Sequence, residues 1–589
     1  MDFFDFLTMV GGLALFLYGM NVLGDGLSQA SGGRMEKILE KLTSSPIKAV
    51  LVGAGVTAVI QSSSATTVMV VGFVNSGIMK LQQAVGIIMG ANIGTTATSW
   101  ILSLAGIDSS SFWIKMLKPT SFSPILAIIG VGILLFSKRE KLKNAATIMV
   151  GFAVLMFGMD TMSTAVEGLK DVPEFTNILL QFSNPVLGMI AGMVLTAVIQ
   201  SSSASVGILQ ALCMTGAVPF SAAIPIIMGQ NIGTCVTAML SAIGASKNAK
   251  RTALIHLYFN LIGTIVFMIL FYAINAVIPF GFLQEAATPV GIATVHSIFN
   301  VTATILWLPF SKVLVKLATL SIKDEEQQEE AIGEDRALQL LDVRFLDTPS
   351  VAVEQSRNVA VSMAELAEES MNLSMELFVS YDEAKAERVI ELESMVDRFE
   401  DELGSYLVKV SSRNLSEKDS HTLNTLLHCI GDFERISDHA RNLKEAAQEM
   451  YEKGLQFSEK AQAELDVMQK AIHDILKITM LSFNEEDLKL ATQVEPLEEV
   501  IDELSMDMKQ RHIKRLRKGK CTIELGFILS DISTNFERVS DHCSNIAVCL
   551  LEVNEDEFDT HAYLDELKQD DNIDFKGKVM AYRERYQLP

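Results

Sequence analysis

The chain has 589 residues, 49% of them hydrophobic, and a net charge of −23. Residues 1–311 hold 15 Lys/Arg and 12 Asp/Glu, so subtraction from the totals of 48 and 71 leaves 33 basic and 59 acidic residues after position 311. This excludes a single soluble domain, and so acidic a second half argues against nucleic acid as a partner, because affinity for phosphate backbones rests on Lys/Arg contacts.

The first element, MDFFDFLTMVGGLALFLYGM, has no basic n-region and no small-residue cleavage site, so it reads as a retained membrane span rather than a signal peptide. A span needs about 20 mostly apolar residues, and stretches near 6–24, 82–104, 122–137, 145–165, 222–244, 252–274 and 289–310 qualify. The regions 46–78 and 185–217 read differently, since each is two shorter apolar pieces meeting at a polar core. Each is expected to be a re-entrant helical hairpin, because broken helices at membrane depth are tolerated where protein or a water-filled cavity surrounds them.

Those two regions are copies. TAVIQSSSA begins at Thr57 and again at Thr196, and each runs without a gap into GANIGT ending at Thr95 or GQNIGT ending at Thr234. Between Thr57 and Ser99, 20 of 43 positions are identical to the residue 139 places later, which makes duplication the explanation. The offset also pairs Gly19-Met20 with Gly158-Met159, Pro46 with Pro185 and Gly53 with Gly192.

With each hairpin counted as no crossing, three spans precede repeat two, which begins near 145, so the repeats are inverted. The distribution of cations agrees with that layout. One side receives Arg34, Lys37, Lys41, Lys48, Lys80, Lys138, Arg139, Lys141, Lys143, Lys247, Lys250 and Arg251, and the other only Lys115, Lys118 and Lys170. The expected layout is a multi-pass protein of the inner (plasma) membrane with its N-terminus outside and its acidic half cytoplasmic.

The polar cores are Gln61, Ser62, Ser63, Ser64 and Thr66 in one copy and Gln200, Ser201, Ser202, Ser203 and Ser205 in the other. Their oxygens suit a hard cation such as sodium and their donors suit an oxyanion, while helix N-termini at the hairpin tips favour phosphate. Close helix packing is the plainer alternative. For Asn92, Thr95, Asn231 and Thr234, helix capping and packing stand level with a ligand role. His256 with Asn260 and His296 with Asn300, each pair one turn apart, read as interhelical hydrogen-bonding pairs before ion ligands, and Asp160 as an interfacial carboxylate or an ion ligand.

The paired QSSS cores, the QSSSA-to-NIGT blocks and the HxxFN segments resemble the type II sodium-phosphate cotransporter family over about residues 5–310. The resemblance implies that the two hairpins meet at the centre and bind sodium and phosphate at Gln61 to Ser64 and Gln200 to Ser203. Both copies have Ala after the third serine, Ala65 and Ala204, where many members carry Ser or Thr.

From about residue 350, apolar residues recur at three and four with almost no strand signal, which predicts a helical bundle. KDEEQQEEAIGEDR before it reads as a charged linker. FERISDHARN from Phe433 matches FERVSDHCSN from Phe536, and LESMVD from Leu392 matches LEEVID from Leu497. These paired motifs resemble the PhoU family, which implies two three-helix bundles and a regulatory role in phosphate transport. The pairs Glu393/Asp397, Glu434/Asp438, Glu498/Asp502 and Glu537/Asp541 each share a helix face. By the resemblance they are candidates for a divalent metal or an iron cluster, with ion pairing to Arg435, Arg538, His439 and His542 as the alternative. The six cysteines form no CxxC and no disulfide-scaffold spacing, as a reduced compartment would favour.

The expected fold is therefore all-α: a polytopic membrane domain at 1–311, with repeat one near 5–137, repeat two near 145–275 and a final span near 289–310. A charged linker at 312–349, a helical domain at 350–555 and a tail at 556–589 follow. No catalytic constellation is present: no GxxxxGK[ST], no HExxH and no nucleophile with its base. The expected function is a sodium-coupled phosphate symporter, with inorganic phosphate, sodium and the lipid bilayer as partners, alongside a second copy or a cytoplasmic regulator. The alternatives are a membrane-anchored phosphate sensor, a phosphate exporter, or a carrier of another tetrahedral oxyanion such as arsenate.

Overall fold

A computed structural model describes residues 3–31, 45–106, 119–167, 172, 180–323, 337–552 and 573–589. Arg34, Lys37, Lys41, Lys115, Lys118 and Lys170, and nearly all of the KDEEQQEEAIGEDR segment, lie outside them. The described residues are almost wholly helical, and the β pairing among them is an isolated bridge between Pro219 and Ala286. The chain divides into two units, Met1–Glu330 with Asp342–Thr348, and Ala331–Leu341 with Pro349–Pro589.

In the first unit, α1 (Phe3–Ser31) precedes a broken pair, α2 (Pro46–Ile60) and α3 (Ser63–Asn75), and then α4 (Leu81–Ser103) and α5 (Pro119–Phe136). The second copy repeats the order with α6 (Glu140–Val166), α7 (Pro185–Ile199), α8 (Ser202–Cys213), α9 (Phe220–Ser241) and α10 (Lys247–Val277). α11 (Pro289–Trp307) and α12 (Ser311–Ser321) close the unit. Among the described residues, six helical segments are long and apolar enough to cross a membrane: Phe3–Ala30, Leu81–Gly106, Lys141–Val166, Phe220–Ser241, Lys247–Val277 and Pro289–Ser321. The stretch expected near 122–137 forms a shorter apolar helix, Ser121–Phe136.

The repeats are inverted. Gly12 abuts Met162 and Gly26 abuts Ile148, so α1 and α6, equivalent under the 139-residue offset, run antiparallel and face to face. A Cβ at Gly19 or at its equivalent Gly158 would collide with the backbone of the opposing helix, which is why glycine stands at this crossing. Within each copy the outer helices are parallel. Gly86 touches Ala49 and Gly94 touches Thr57, so α2 and α4 advance together and the chain between them returns to its starting level through α3. Each broken pair is thus a hairpin, with its tip where Gln61 (φ 60°) and Gln200 (φ 59°) end α2 and α7 in the left-handed region.

The region expected to be linker from 312 onward is more ordered than charge alone suggests. α12 occupies its start, and the buried Arg251, one of the cations counted on the basic side, donates to Ile322 O at 3.0 and 2.7 Å at that helix's carbonyl end. Asp342–Thr348 belongs to the first unit. Asn75 Nδ2 donates to Asp342 Oδ2 at 2.8 Å, Arg344 bonds both Asp342 and Ser241 O, and Phe345 packs on Phe73, ring centroids 5.5 Å apart.

The second unit holds α13 (Pro349–Glu376), α14 (Glu383–Ser411) and α15 (Glu417–Glu452) as one bundle. α16 (Glu459–Glu485), α17 (Val494–Arg517) and α18 (Ile523–Glu552) form the other, and α19 (Ile573–Arg585) lies on α17. Every third or fourth residue of these helices is buried, for example Leu392, Val396, Phe399, Leu403 and Tyr406 of α14, as the amphipathic period requires. α15 and α18 join the bundles through a pseudo-symmetric core. His439 and His542 stack with centroids 5.6 Å apart, His439 Nδ1 lies 2.8 Å from Asn535, and His542 Nδ1 lies 2.8 Å from Asp432.

Candidate functional site

The QSSS segments fold as they do because serine serves two purposes at once. Ser62 and Ser201 are extended N-cap residues whose hydroxyls accept from Ala65 N–H at 3.1 Å and Ala204 N–H at 3.2 Å. Those caps start α3 and α8 at the hairpin tips, and the tips meet. Ser63 Oγ lies 3.5 Å from Ser202 Oγ, and Ser64 Oγ donates to Gln200 O at 3.4 Å. Two helix N-termini therefore converge on one spot among buried hydroxyls, where their N–H groups and positive dipole ends favour an anion.

The two halves of this centre are chemically unequal. In the first, Thr57 Oγ1 donates to Thr66 Oγ1 at 3.0 Å, Thr66 Oγ1 also bonds Ser62 O at 3.0 Å, and Thr98 Oγ1 donates to Gln61 Oε1 at 2.9 Å. Gln61 Nε2 bonds Ala58 O. The second half has the same residue types at the matching positions, yet Thr196 Oγ1, Ser205 Oγ and Thr237 Oγ1 are buried without partners, and Gln200 is exposed. Gln230, which stands where the first copy has Ala91, is fully buried with neither amide atom bonded.

The NIGT residues fall in two groups. Asn92 Nδ2 bonds Ile88 O, Thr95 Oγ1 bonds Ala91 O and Thr234 Oγ1 bonds Gln230 O, each one turn back on its own helix. Asn231 instead reaches across helices, donating to Asn300 Oδ1 at 3.2 Å, and its own Oδ1 lies 3.4 Å from His296 Nε2. His296 Nδ1 lies 2.8 Å from Ser99 Oγ, so α4, α9 and α11 share one buried network. Asn260 Nδ2 bonds His256 O and Cys235 Sγ. His296 and Asn300 thus tie α11 to α4 and α9, and Asn260 ties α10 to α9, whereas His256 Nδ1 and Asn260 Oδ1 are buried without a partner. Asp160 is exposed on α6.

Thr57, Thr98, Ser99, Gln210 and Gln230 are absent from the residues singled out by sequence. Thr57 and Thr98 carried a usable signal, since both recur in the second copy as Thr196 and Thr237. Gln210 carried the opposite one, replacing Val71, and its Nε2 holds Ser99 O and Pro289 O at 3.0 and 2.9 Å.

In the second unit the carboxylate pairs form two groups. Glu498, Asp502 and Asp541 bring ligand atoms within 4.8 Å of one another, with Glu498 buried. Burial, ahead of the Glu537 carboxylate, holds the Asp541 carboxyl above its ordinary range against the nearby Arg538. Glu537 turns to Ser505 and Lys509 at 3.2 and 3.1 Å, and Glu393 to Arg441 at 2.7 Å. Glu434 is raised by burial first and then by Asp438, and Asp438 by burial first and then by Glu393, which places Glu393, Asp397, Glu434 and Asp438 in one acidic cluster. Arg538 pairs with Asp541 at 3.2 Å.

Residues 15–164 and 166–286 match the family model described as Na+/Pi-cotransporter, and residues 360–447 and 465–550 match that of the PhoU domain. "Uncharacterized protein YqeW" of Bacillus subtilis is 31% identical, covering 53% of this chain and 96% of that protein. "Putative inorganic phosphate export protein YjbB" of Escherichia coli is 24% identical, covering 93% of this chain and 97% of that protein. "Sodium-dependent phosphate transport protein 2A" of Rattus norvegicus is 29% identical, over 31% of this chain and 29% of that protein.

Proposed function

The chain belongs to the Na+/Pi-cotransporter family and carries a PhoU domain in its second half, and from that premise we propose that it moves inorganic phosphate across a membrane with sodium as the coupling ion. The observation that carries this reading is the meeting of α3 and α8 at Ser63 and Ser202. An oxyanion there receives backbone N–H groups and hydroxyls from both hairpins.

Sodium fits the second half of the centre better than the first. The orphaned oxygens of Thr196, Ser205 and Thr237, with the Gln230 amide oxygen, offer hard donors that the protein itself leaves unsatisfied. The equivalent first-half hydroxyls are already engaged, Thr57 with Thr66 and Thr98 with Gln61, and Ala91 stands in place of Gln230. Gln200, Ser201, Ser203, Asn231 and Thr234 line the approach in this reading, with Gln61, Ser62, Ser64, Asn92 and Thr95 as their counterparts.

The layout follows the cation distribution, with an outside N-terminus, both hairpins re-entrant and the PhoU domain cytoplasmic. That domain tunes transport rather than performing it. Asp342–Thr348 gives a route for such control, because it is fixed to Asn75 and Phe73 of α3, the helix that starts at Ser63, and runs directly into Pro349 of α13. The group of Glu498, Asp502 and Asp541 would hold a hard divalent ion, or one edge of an iron cluster, as the domain's effector.

Phosphate flux into liposomes with and without a sodium gradient tests the proposal. Uptake that collapses without the gradient supports it, and phosphate binding without any flux points to a membrane-anchored sensor instead. A second reading, export, is favoured by the name of the Escherichia coli relative, which matches over nearly its whole length. Flux driven outward in inverted vesicles separates the two directions.

A further inference from the structure

The second unit is strongly acidic, yet Arg511 to Lys520 holds six cations and no acid, and Glu524 is the single acidic residue between Arg511 and Ser530. Two of the six are committed inward, since Arg511 and Arg515 pair with buried Glu464 at 3.4 and 2.8 Å. Lys514, Arg517, Lys518 and Lys520 remain exposed at the turn from α17 to α18, a turn closed by Gly519 at φ 65°. Three large apolar side chains stand at the same end: Ile513 is 48% exposed, Ile523 67% and Phe527 68%. Ile523 and Phe527 share one face of α18, a turn apart. Exposed apolar groups framed by unpaired cations mark a docking surface rather than a solvated loop.

We propose that this turn docks on the surface of a bilayer rich in anionic headgroups, with Lys514, Arg517, Lys518 and Lys520 on lipid phosphates and Phe527 and Ile523 in the interfacial layer. The occupant follows from charge and from covalent context. Six helices among the described residues are apolar enough to span a membrane, so a bilayer surface is present at high effective concentration. The remainder of the unit is acidic and repelled by such a surface, so this turn is the end that approaches it. α13 enters the unit at the opposite end. Leu377, just past its end, shares a cluster with Ala386 of α14 and Ala447 of α15, and α15 and α18 run antiparallel, Cys549 meeting Thr425 O and Asn535 meeting His439, so the end of α15 lies by the start of α18. The entry point and the docked turn are therefore separated by about the 40 Å length of a 28-residue helix.

The full-length protein in nanodiscs of phosphatidylcholine, or of phosphatidylcholine with a third phosphatidylglycerol, provides the test through amide exchange at residues 518–526. A cation near such a surface shifts partitioning by about fivefold, so exchange there should slow by an order of magnitude or more in anionic discs and recover in high salt. The fourfold change Lys514→Glu, Arg517→Glu, Lys518→Glu and Lys520→Glu should abolish the protection while exchange along α13 stays unchanged. Phe527→Ser should weaken it with charge intact. Equal exchange in both lipids, protection that survives charge reversal, or protection that scales with protein concentration in neutral discs, as a second copy would give, overturns the proposal.

Discussion

Ser63 Oγ and Ser202 Oγ lie 3.5 Å apart although 139 residues separate them, and each belongs to the first residue of its helix. Because 139 is also the repeat offset, the contact joins a residue to its own copy and marks the pseudo-symmetry axis of the unit. An anion held there meets the same groups from both sides. Ser63→Ala and Ser202→Ala should each lower phosphate flux at limiting substrate by about tenfold or more, the loss of one hydrogen bond to a charged group. Dose–response curves for phosphate in liposomes decide this, and an unchanged curve for both variants removes the axis from the binding site.

The unequal halves predict a directional effect. Thr98→Val breaks the bond to Gln61 and leaves a buried amide oxygen short of a donor, whereas Thr237→Val removes a hydroxyl that has no protein partner. If the orphaned oxygens serve sodium, Thr237→Val should raise the sodium concentration for half-maximal flux several-fold with little change in thermal stability. Thr98→Val should cost about 1–3 kcal/mol of stability. Sodium titrations beside melting curves separate the two, and the reverse assignment would place the cation in the first half.

The duplication, the two breaks at the QSSS cores and the helical character of the second half were legible because each is written as an offset or a period, and the PhoU resemblance supplied the two bundles. Pairing across the centre was not. That Thr57 binds Thr66 while Thr196 and Ser205 stay apart depends on a difference between two halves of nearly identical sequence, and identity at matched positions conceals such a difference. Asp342–Thr348 was hidden for another reason. A charged neighbourhood reads as solvated linker, and only the structure shows Asp342 meeting Asn75 and Phe345 meeting Phe73.

Acidification should stabilise the acidic cluster of the first bundle. Glu434 has a folded-state pKa above its ordinary 4.5, so the native state holds the proton more tightly, and its unfavourable contribution at neutral pH fades as pH falls through the raised value. His439 is lowered, mainly by burial, and works in the opposite sense below about 6.5. Glu434→Gln isolates the first effect. The variant should melt about 1–2 °C above the parent at pH 7.5, a small gain because the group is partly exposed, and the difference should vanish near pH 4.5. A constant difference across that range would mean that the side chain acts by packing.

If Glu498, Asp502 and Asp541 hold a divalent ion, manganese should raise the melting temperature of the full-length protein, and Asp502→Asn should reduce that rise while leaving the apo value within a few degrees. Calorimetric titration with manganese checks stoichiometry. Equal shifts in parent and variant would assign the ion elsewhere.

The boundary of the transport unit is the sharpest consequence of Asp342–Thr348. A protein ending at residue 320 loses the contacts of Asp342 with Asn75, of Arg344 with Ser241 O and of Phe345 with Phe73, whereas one ending at residue 349 keeps them and lacks both bundles. If the PhoU domain only tunes transport, the longer truncation should carry sodium-driven phosphate at a rate within a few-fold of the full chain. The shorter one should insert but transport poorly, because a buried aromatic contact and a charged hydrogen bond that steady α3 are gone, together worth about 3–5 kcal/mol. Phe345→Ala in the full chain should fall between them. Flux of all three in one liposome preparation tests the point: equal activity of both truncations would reduce Asp342–Thr348 to a tether, and complete loss in the longer one would make the bundles part of the transport machinery.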